Sequence, residues 1–165
     1  MCGLECAIQH SYTVADKHKI KQAKIKRAEH RASIVASKTR GQWLKEVQTL
    51  YNAWIRLRDS GKPCISCGSF TGKQNAGHYR SVGSAPELRF DETGRNCSLQ
   101  CEKCNSYLSG NLINYRINLI KRIGIDAVEW LESKHTAKHY TIEDLKVLKG
   151  KYAALVKEAK KAPSS

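Results

Sequence analysis

The apolar positions of this chain fall into helical stripes on either side of a stretch without helical period. Trp43, Val47, Leu50, Tyr51, Trp54 and Leu57 recur every three or four positions, one face of an α-helix. Asp59-Ser60-Gly61 followed by Pro63 is a helix stop. Leu112, Tyr115, Leu119, Ile120 and Ile123 repeat the period, and Gly124 ends it. Ile125 to Leu131 reads as a short helix with Val128 and Leu131 inward. Thr141-Ile142-Glu143-Asp144 has the form of an N-cap with an acidic first turn, continued by Leu145, Leu148, Tyr152 and Leu155. Between the first two stripes, Ala76 to Tyr79 predicts a short strand and Leu88 to Phe90 its return, with a polar loop over residues 91–96. The last residues, from Lys160, read as frayed.

Charge changes this picture at the N-terminal end. Lys17 to Arg40 carries nine Lys or Arg and one acidic residue, Glu29, interleaved with Ala and Ile at helix-compatible spacing. The whole chain of 165 residues has 29 Lys plus Arg against 15 Asp plus Glu, a formal charge of +14. A surplus of that size points to a polyanionic partner, most simply nucleic acid. Residues 1–40 are therefore expected to form a basic helical arm that tracks phosphates through Lys24, Lys26, Arg27 and Arg31, with residues 41–160 as the folded domain. No apolar run reaches the length of a spanning helix, so no membrane partner is expected, and a reducing cytoplasm is the expected compartment.

The chemistry lies in the middle. Cys64 and Cys67 form one Cys-x-x-Cys pair, Cys101 and Cys104 another, and in a reducing compartment four thiolates at that spacing predict a closed tetrahedral zinc site. A thioredoxin-like redox pair would need a βαβ setting that the flanks lack. Cys2 and Cys6 make only half of a second site, and Cys97 falls outside the knuckle pattern as a packed or free thiol. His78 lies between the knuckles, Asn96 five residues before Cys101, and Asn105 directly after Cys104. His135 and His139, four apart, lack a third ligand and read as surface residues.

That order of His, Asn and a terminal Asn around two knuckles resembles the HNH, or ββα-metal, nucleases. Pro63-Cys64-Ile65-Ser66-Cys67-Gly68, Ala76-Gly77-His78-Tyr79-Arg80, Pro86-Glu87-Leu88-Arg89-Phe90, Gln100-Cys101, Cys104-Asn105 and Ser109-Gly110-Asn111-Leu112 narrow the resemblance to the phage lambda NinG (Rap) recombination endonuclease family. It covers roughly Trp43 to Tyr152. The fold it implies is α+β and mostly helical: a zinc-stapled ββα-metal core, HNH-like, with the basic N-terminal helical arm and C-terminal helices around it. The activity it implies is metal-dependent cleavage of branched DNA such as Holliday junctions and D-loops, in the host bacterial cytoplasm at the nucleoid. Homodimers and phage or host recombination proteins are further partners it suggests. In that scheme His78 is the general base, Asn105 binds a catalytic Mg²⁺ or Mn²⁺, Asn96 holds the loop or orients His78, Arg80 and Arg116 meet phosphates, and zinc is structural.

Three positions depart from those patterns. Gly77 stands where many HNH enzymes have Asp, Asn75 where the NinG pattern has Asp, and Ser98 where it has His. A carboxylate for the catalytic metal would then come from Asp91, Glu92 or Glu102. The N-terminal cysteines match only the second half of the family's four-cysteine finger. Two other functions fit the residues: a non-catalytic zinc-stapled DNA-binding module, indifferent to His78, and a recombination or replication adaptor, which leaves the charge unexplained.

Overall fold

A computed structural model describes residues 4–161, without the side chains of residues 4–12 and Ala15, so the expectations for Cys2 and Cys6 lie outside the described residues. Two compact units divide between Thr39 and Arg40. The first is one helix, α1 (Leu4–Ala36). Its described residues from Thr13 onward, Ala15 aside, are all exposed, Lys24, Lys26, Arg27 and Arg31 among them. With so few apolar positions it has no stripe wide enough to require burial.

The second unit is α+β and mostly helical. Its elements are α2 (Arg40–Arg58), β1 (Gln74–His78), β2 (Cys97–Cys101), α3 (Leu112–Ile123), α4 (Ile125–Glu132) and α5 (Ile142–Ala159). The stripe on α2 buries Trp43, Val47, Tyr51 and Ile55 against Leu145, Leu148 and Tyr152 of α5, with Phe90 and Cys97 completing the cluster. Each fully buried side chain of this size contributes roughly 1.5–3 kcal/mol. Tyr51 is its centre, meeting Tyr152 edge-on at 5.0 Å and Phe90 at 5.8 Å. A second cluster joins Tyr115 and Leu119 of α3 to Val128 and Leu131 of α4, with Ile65, Tyr79 and Leu88 from the loops.

Capping follows the sequence. Thr141 accepts from the Asp144 backbone and Asp144 returns the bond to Thr141, a reciprocal capping box that starts α5. Gly124, at φ 87°, turns α3 into α4 in a conformation that other residues adopt only under strain. No described helix is long and apolar enough to cross a membrane.

The sheet differs from expectation. β1 runs from Gln74 to His78, and its antiparallel partner is β2, in the register Gln74↔Cys101 through His78↔Cys97. Leu88 to Phe90 is not the returning strand: Pro86–Leu88 is a 3-10 turn, begun by a proline that cannot donate to a ladder. Leu88 enters the second cluster and Phe90 the first, so the alternation there reflects two cores. β2 does alternate, apolar Cys97, Leu99 and Cys101 against polar Ser98 and Gln100, but all five residues are buried and the strand runs directly into the second knuckle, so its pairing with β1 follows only from the structure.

Candidate metal centre and catalytic cleft

The two knuckles converge. One potential ligand atom from each of Cys64, Cys67, Cys101 and Cys104 lies within 4.8 Å of all the others, and Sγ of Cys67 stands 3.7 Å from Sγ of Cys101. Zinc-sulfur bonds of about 2.3 Å give a tetrahedron with edges of about 3.8 Å, so four thiolates fit zinc here. The first knuckle turns at Gly68, φ 74°, with the Gly68 amide bonded to the Cys64 carbonyl at 2.9 Å. In the second, Cys104 sits on a π-helical turn, Lys103–Tyr107, and its backbone N–H lies 3.5 Å from Sγ of Cys101. Asn111 donates its side-chain amide to Sγ of Cys104 at 3.4 Å, an outer contact that orients a ligand. Four protein ligands would leave no open position, so a zinc ion held here would be structural.

β2 ties that centre to His78. The strand carries Cys101 at one end and, four residues earlier, Cys97 opposite His78, a separation of roughly 13 Å. His78 Nε2 lies 3.1 Å from the Arg89 carbonyl oxygen. A carbonyl only accepts, so Nε2 carries the proton and Nδ1 keeps the lone pair. The nearest polar atom to Nδ1 is the Cys97 thiol, at 3.8 Å. The ring stacks on Tyr51 at 5.8 Å and 25°. Burial lowers the His78 pKa below its ordinary value, the Arg89 carbonyl partly opposes this, and the Arg89 charge reinforces it. Cys97 is the packed thiol, fully enclosed, its pKa raised by burial.

His78 lines an open cleft of about 930 Å³ together with Arg80, Asn105 and Glu132. Asn105, half-buried on the π-helical turn, makes no hydrogen bond with the described residues and directs its Oδ1 toward Gly77. A side chain at Gly77 would need Gln100 to move: a β-carbon there would stand 2.1 Å from Gln100 Oε1 and 3.0 Å from Asn105 Oδ1. Gln100 is fully buried, donating to Ser66 Oγ at 2.7 Å and the Gly110 carbonyl at 2.6 Å, while its Oε1 finds no partner. An Asp at position 77 would therefore have to displace the Gln100 side chain.

Asn96 holds the loop. Its Oδ1 accepts from the Arg80 backbone at 2.8 Å, and its Nδ2 donates to the Arg80 and Leu88 carbonyls at 3.1 and 3.2 Å. The alternative role for Asn96, a hydrogen bond orienting His78, is absent; the Arg89 carbonyl does that instead.

The carboxylates expected near the metal lie elsewhere. Asp91 caps its own turn through Thr93 and the Asn96 amide, Glu92 pairs with Lys151 at 2.8 Å, and Glu102 pairs with Lys73 at 2.7 Å. The carboxylate on the cleft is Glu132, which sequence reasoning missed because it ends an ordinary amphipathic helix with no motif around it. Arg116 grips it through two bonds, 2.7 and 3.0 Å, and Tyr79 donates its hydroxyl to the same group. The Arg116 bonds chiefly hold the Glu132 pKa down at about 2. Arg80 reaches the Glu132 carbonyl at 3.4 Å.

No solved structure matches the chain. The family described as Bacteriophage Lambda NinG protein matches residues 1–162. Protein ninG of Escherichia phage 933W is 47% identical over 131 residues, covering 79% of this chain and 64% of that protein. Protein ninG of Escherichia phage lambda is also 47% identical over 131 residues, 79% of this chain and 63% of its own length. Protein ninG of Salmonella phage P22 gives the same identity and 64% coverage. The match thus spans less than two thirds of the length of these relatives. With a family match across nearly its whole length and relatives at this identity, the chain belongs to the NinG family.

Proposed function

We propose that this protein is a metal-dependent endonuclease of the HNH type that hydrolyses phosphodiesters in branched DNA within the host cell. The observation that carries the reading is the bond from His78 Nε2–H to the Arg89 carbonyl, which fixes on the wall of an open cleft an imidazole whose lone pair is on Nδ1, in only a long contact, 3.8 Å, with the Cys97 thiol. Nδ1 takes a proton from water as the water oxygen attacks phosphorus. The bond from phosphorus to the leaving sugar oxygen breaks, and that oxygen takes a proton from solvent. Burial keeps the imidazole neutral near pH 7, the form a general base requires.

Asn105 is the cleft's amide oxygen without a hydrogen-bond partner, a hard donor suited to Mg²⁺ or Mn²⁺. Asn105 Oδ1 would hold such an ion, which would supply charge neutralisation at the reacting phosphate. The ion's remaining ligands would be water and phosphate, since Glu132, the carboxylate on this cleft, is engaged by Arg116 and Tyr79. Arg80 lines the same cleft as a phosphate contact, and Glu132 with Tyr79 and Arg116 braces its rim. The exposed cations of α1 add sequence-independent attraction to DNA.

The test is cleavage of a labelled four-way junction beside a linear duplex of the same arms, with and without Mg²⁺ or Mn²⁺, for wild type and His78→Ala. Metal-dependent nicking of the junction by wild type alone, with both proteins binding it, is the expected result. Binding by both and cleavage by neither would leave a zinc-stapled DNA-binding module and overturn the catalytic assignment.

A further inference from the structure

The molecule has a second cationic cleft, lined by residues other than those of the His78 cleft. We infer that it holds a backbone phosphate of DNA, a contact that rests on the DNA-binding reading above. The cleft, about 190 Å³, lies among the end of α2, the turn at residues 93–95 and the last turn of α3, and is lined by Arg58, Lys62, Arg95 and Arg122.

The charge balance there is one-sided. Arg58, Lys62 and Arg122 all bond to the fully buried carboxylate of Asp59, Lys62 at 3.0 Å and Arg58 at 3.0 and 2.7 Å. The remaining Asp59 acceptor capacity goes to the Leu99 amide at 3.1 Å. Burial opposes ionisation of Asp59, but the Arg58 and Arg122 bonds hold its pKa well below the ordinary carboxylate range, so it is charged. Four cations therefore face one anion, a surplus of three. The C-terminal ends of α2 and α3, each equivalent to about half a negative charge, reduce that surplus to about two.

The donors are equally unspent. Arg58 is nearly used up, since it also donates to the Gly94 and Cys97 carbonyls at 2.8 Å each. Arg122 spends one N–H on Asp59, and Lys62 likewise. Arg95 spends one on Thr93 Oγ1 at 2.8 Å and lies over the Trp130 ring at 4.9 Å. Three cations with most of their N–H groups free thus surround an opening, while Arg58 and Asp59 fix the floor. The cations reach in from three separate elements on long side chains, an arrangement that suits a strand passing over the surface. A free phosphate is more commonly cradled by converging backbone N–H groups at a helix N-terminus or nest, and the helices meeting here present C-termini.

The experiment measures the salt dependence of junction binding, without divalent metal, for wild type, Lys62→Gln/Arg95→Gln, Arg95→Glu and a control pair on α5, Lys146→Gln/Lys157→Gln. Losing one phosphate contact should lower the slope of log affinity against log salt by about 0.9 and weaken binding several-fold at low salt for the first two variants. The control should keep the wild-type slope. Wild-type binding with unchanged slopes in both cleft variants overturns this inference and leaves the proposed function standing. Equal losses in the control overturn it too, since total charge would then account for the effect. If inorganic phosphate raises the wild-type Tm but not that of the cleft variants, while junction slopes stay equal, the site takes free phosphate and the DNA assignment is wrong. Failure of wild type to bind DNA overturns both readings.

Discussion

Gln100 occupies the space that a side chain at position 77 would need, its Oε1 only 2.1 Å from where a Gly77 β-carbon would stand. The two residues are coupled by exclusion. Gly77→Ala must push aside a buried amide that is anchored at its other end by Ser66 and Gly110. Overpacking of this kind costs about 1–3 kcal/mol. Denaturant unfolding should show that loss in Gly77→Ala, and Gly77→Ala/Gln100→Ala should recover part of it, a non-additivity that a double-mutant cycle measures. Simple addition of the two single losses would mean that Gln100 moves away freely.

His78 makes activity and stability depend on pH with a definite sign. Its folded pKa lies below the ordinary 6.5, so the base stays neutral, and the acidic limb of kcat/KM for junction cleavage should fall below pH 6.5. His78→Ala should reduce kcat by about 10²–10⁴. For stability, the unfolded chain takes up the proton first as pH falls. The contribution from neutral His78 is thus fully present above 6.5 and declines below it until the folded imidazole also protonates. Chemical denaturation between pH 5 and 8 should show a smaller acid loss in His78→Gln than in wild type.

The knuckles should bind one zinc ion per chain, measurable by elemental analysis. Because the metal closes a long loop and holds β2, prolonged chelation should lower Tm and expose the second core, and added zinc should restore both. Cys104→Ser should weaken the site most visibly in that assay, since it removes both a ligand and the acceptor for Asn111. Four thiols that reacted alike with a thiol reagent before and after chelation would argue against a bound metal.

Asp59 is fully buried and binds Arg58, Lys62 and Arg122 at once. Removing the carboxylate leaves three neighbouring cations without their counter-ion and the Leu99 amide with a poorer acceptor. Asp59→Asn should cost roughly 3 kcal/mol. Gly94→Ala offers an independent check, because a β-carbon there would meet the Arg58 guanidinium at 2.2 Å in a backbone conformation, φ 68°, that already favours glycine. Both variants should lower Tm, and an unchanged Tm for Asp59→Asn would show that the cations are adequately solvated without it.

Local chemistry was legible in the sequence wherever it obeys a local rule. The stripes of α2, α3 and α5 follow from helical period, the capping box from Thr141 and Asp144, and the four-cysteine cluster from the spacing of Cys64, Cys67, Cys101 and Cys104. What failed was β2, whose Ser98 and Gln100 are buried although polar, Gln100 donating to Ser66, 34 residues earlier in the chain. Leu88 and Phe90 misled for the converse reason, being apolar for two separate cores.

The sequence by itself determined the family, the basic charge, the metal-binding cysteines and the helices, because each depends on residue type and short-range spacing. Only the tertiary structure decided which carbonyl fixes the His78 tautomer, that Gln100 fills the space beside Gly77, that Glu132 is the carboxylate on the cleft, and that Asp59 gathers three cations. Apart from the two neighbours of Asp59, Arg58 and Lys62, the groups concerned are 11 to 63 residues apart. No periodicity in the chain encodes them.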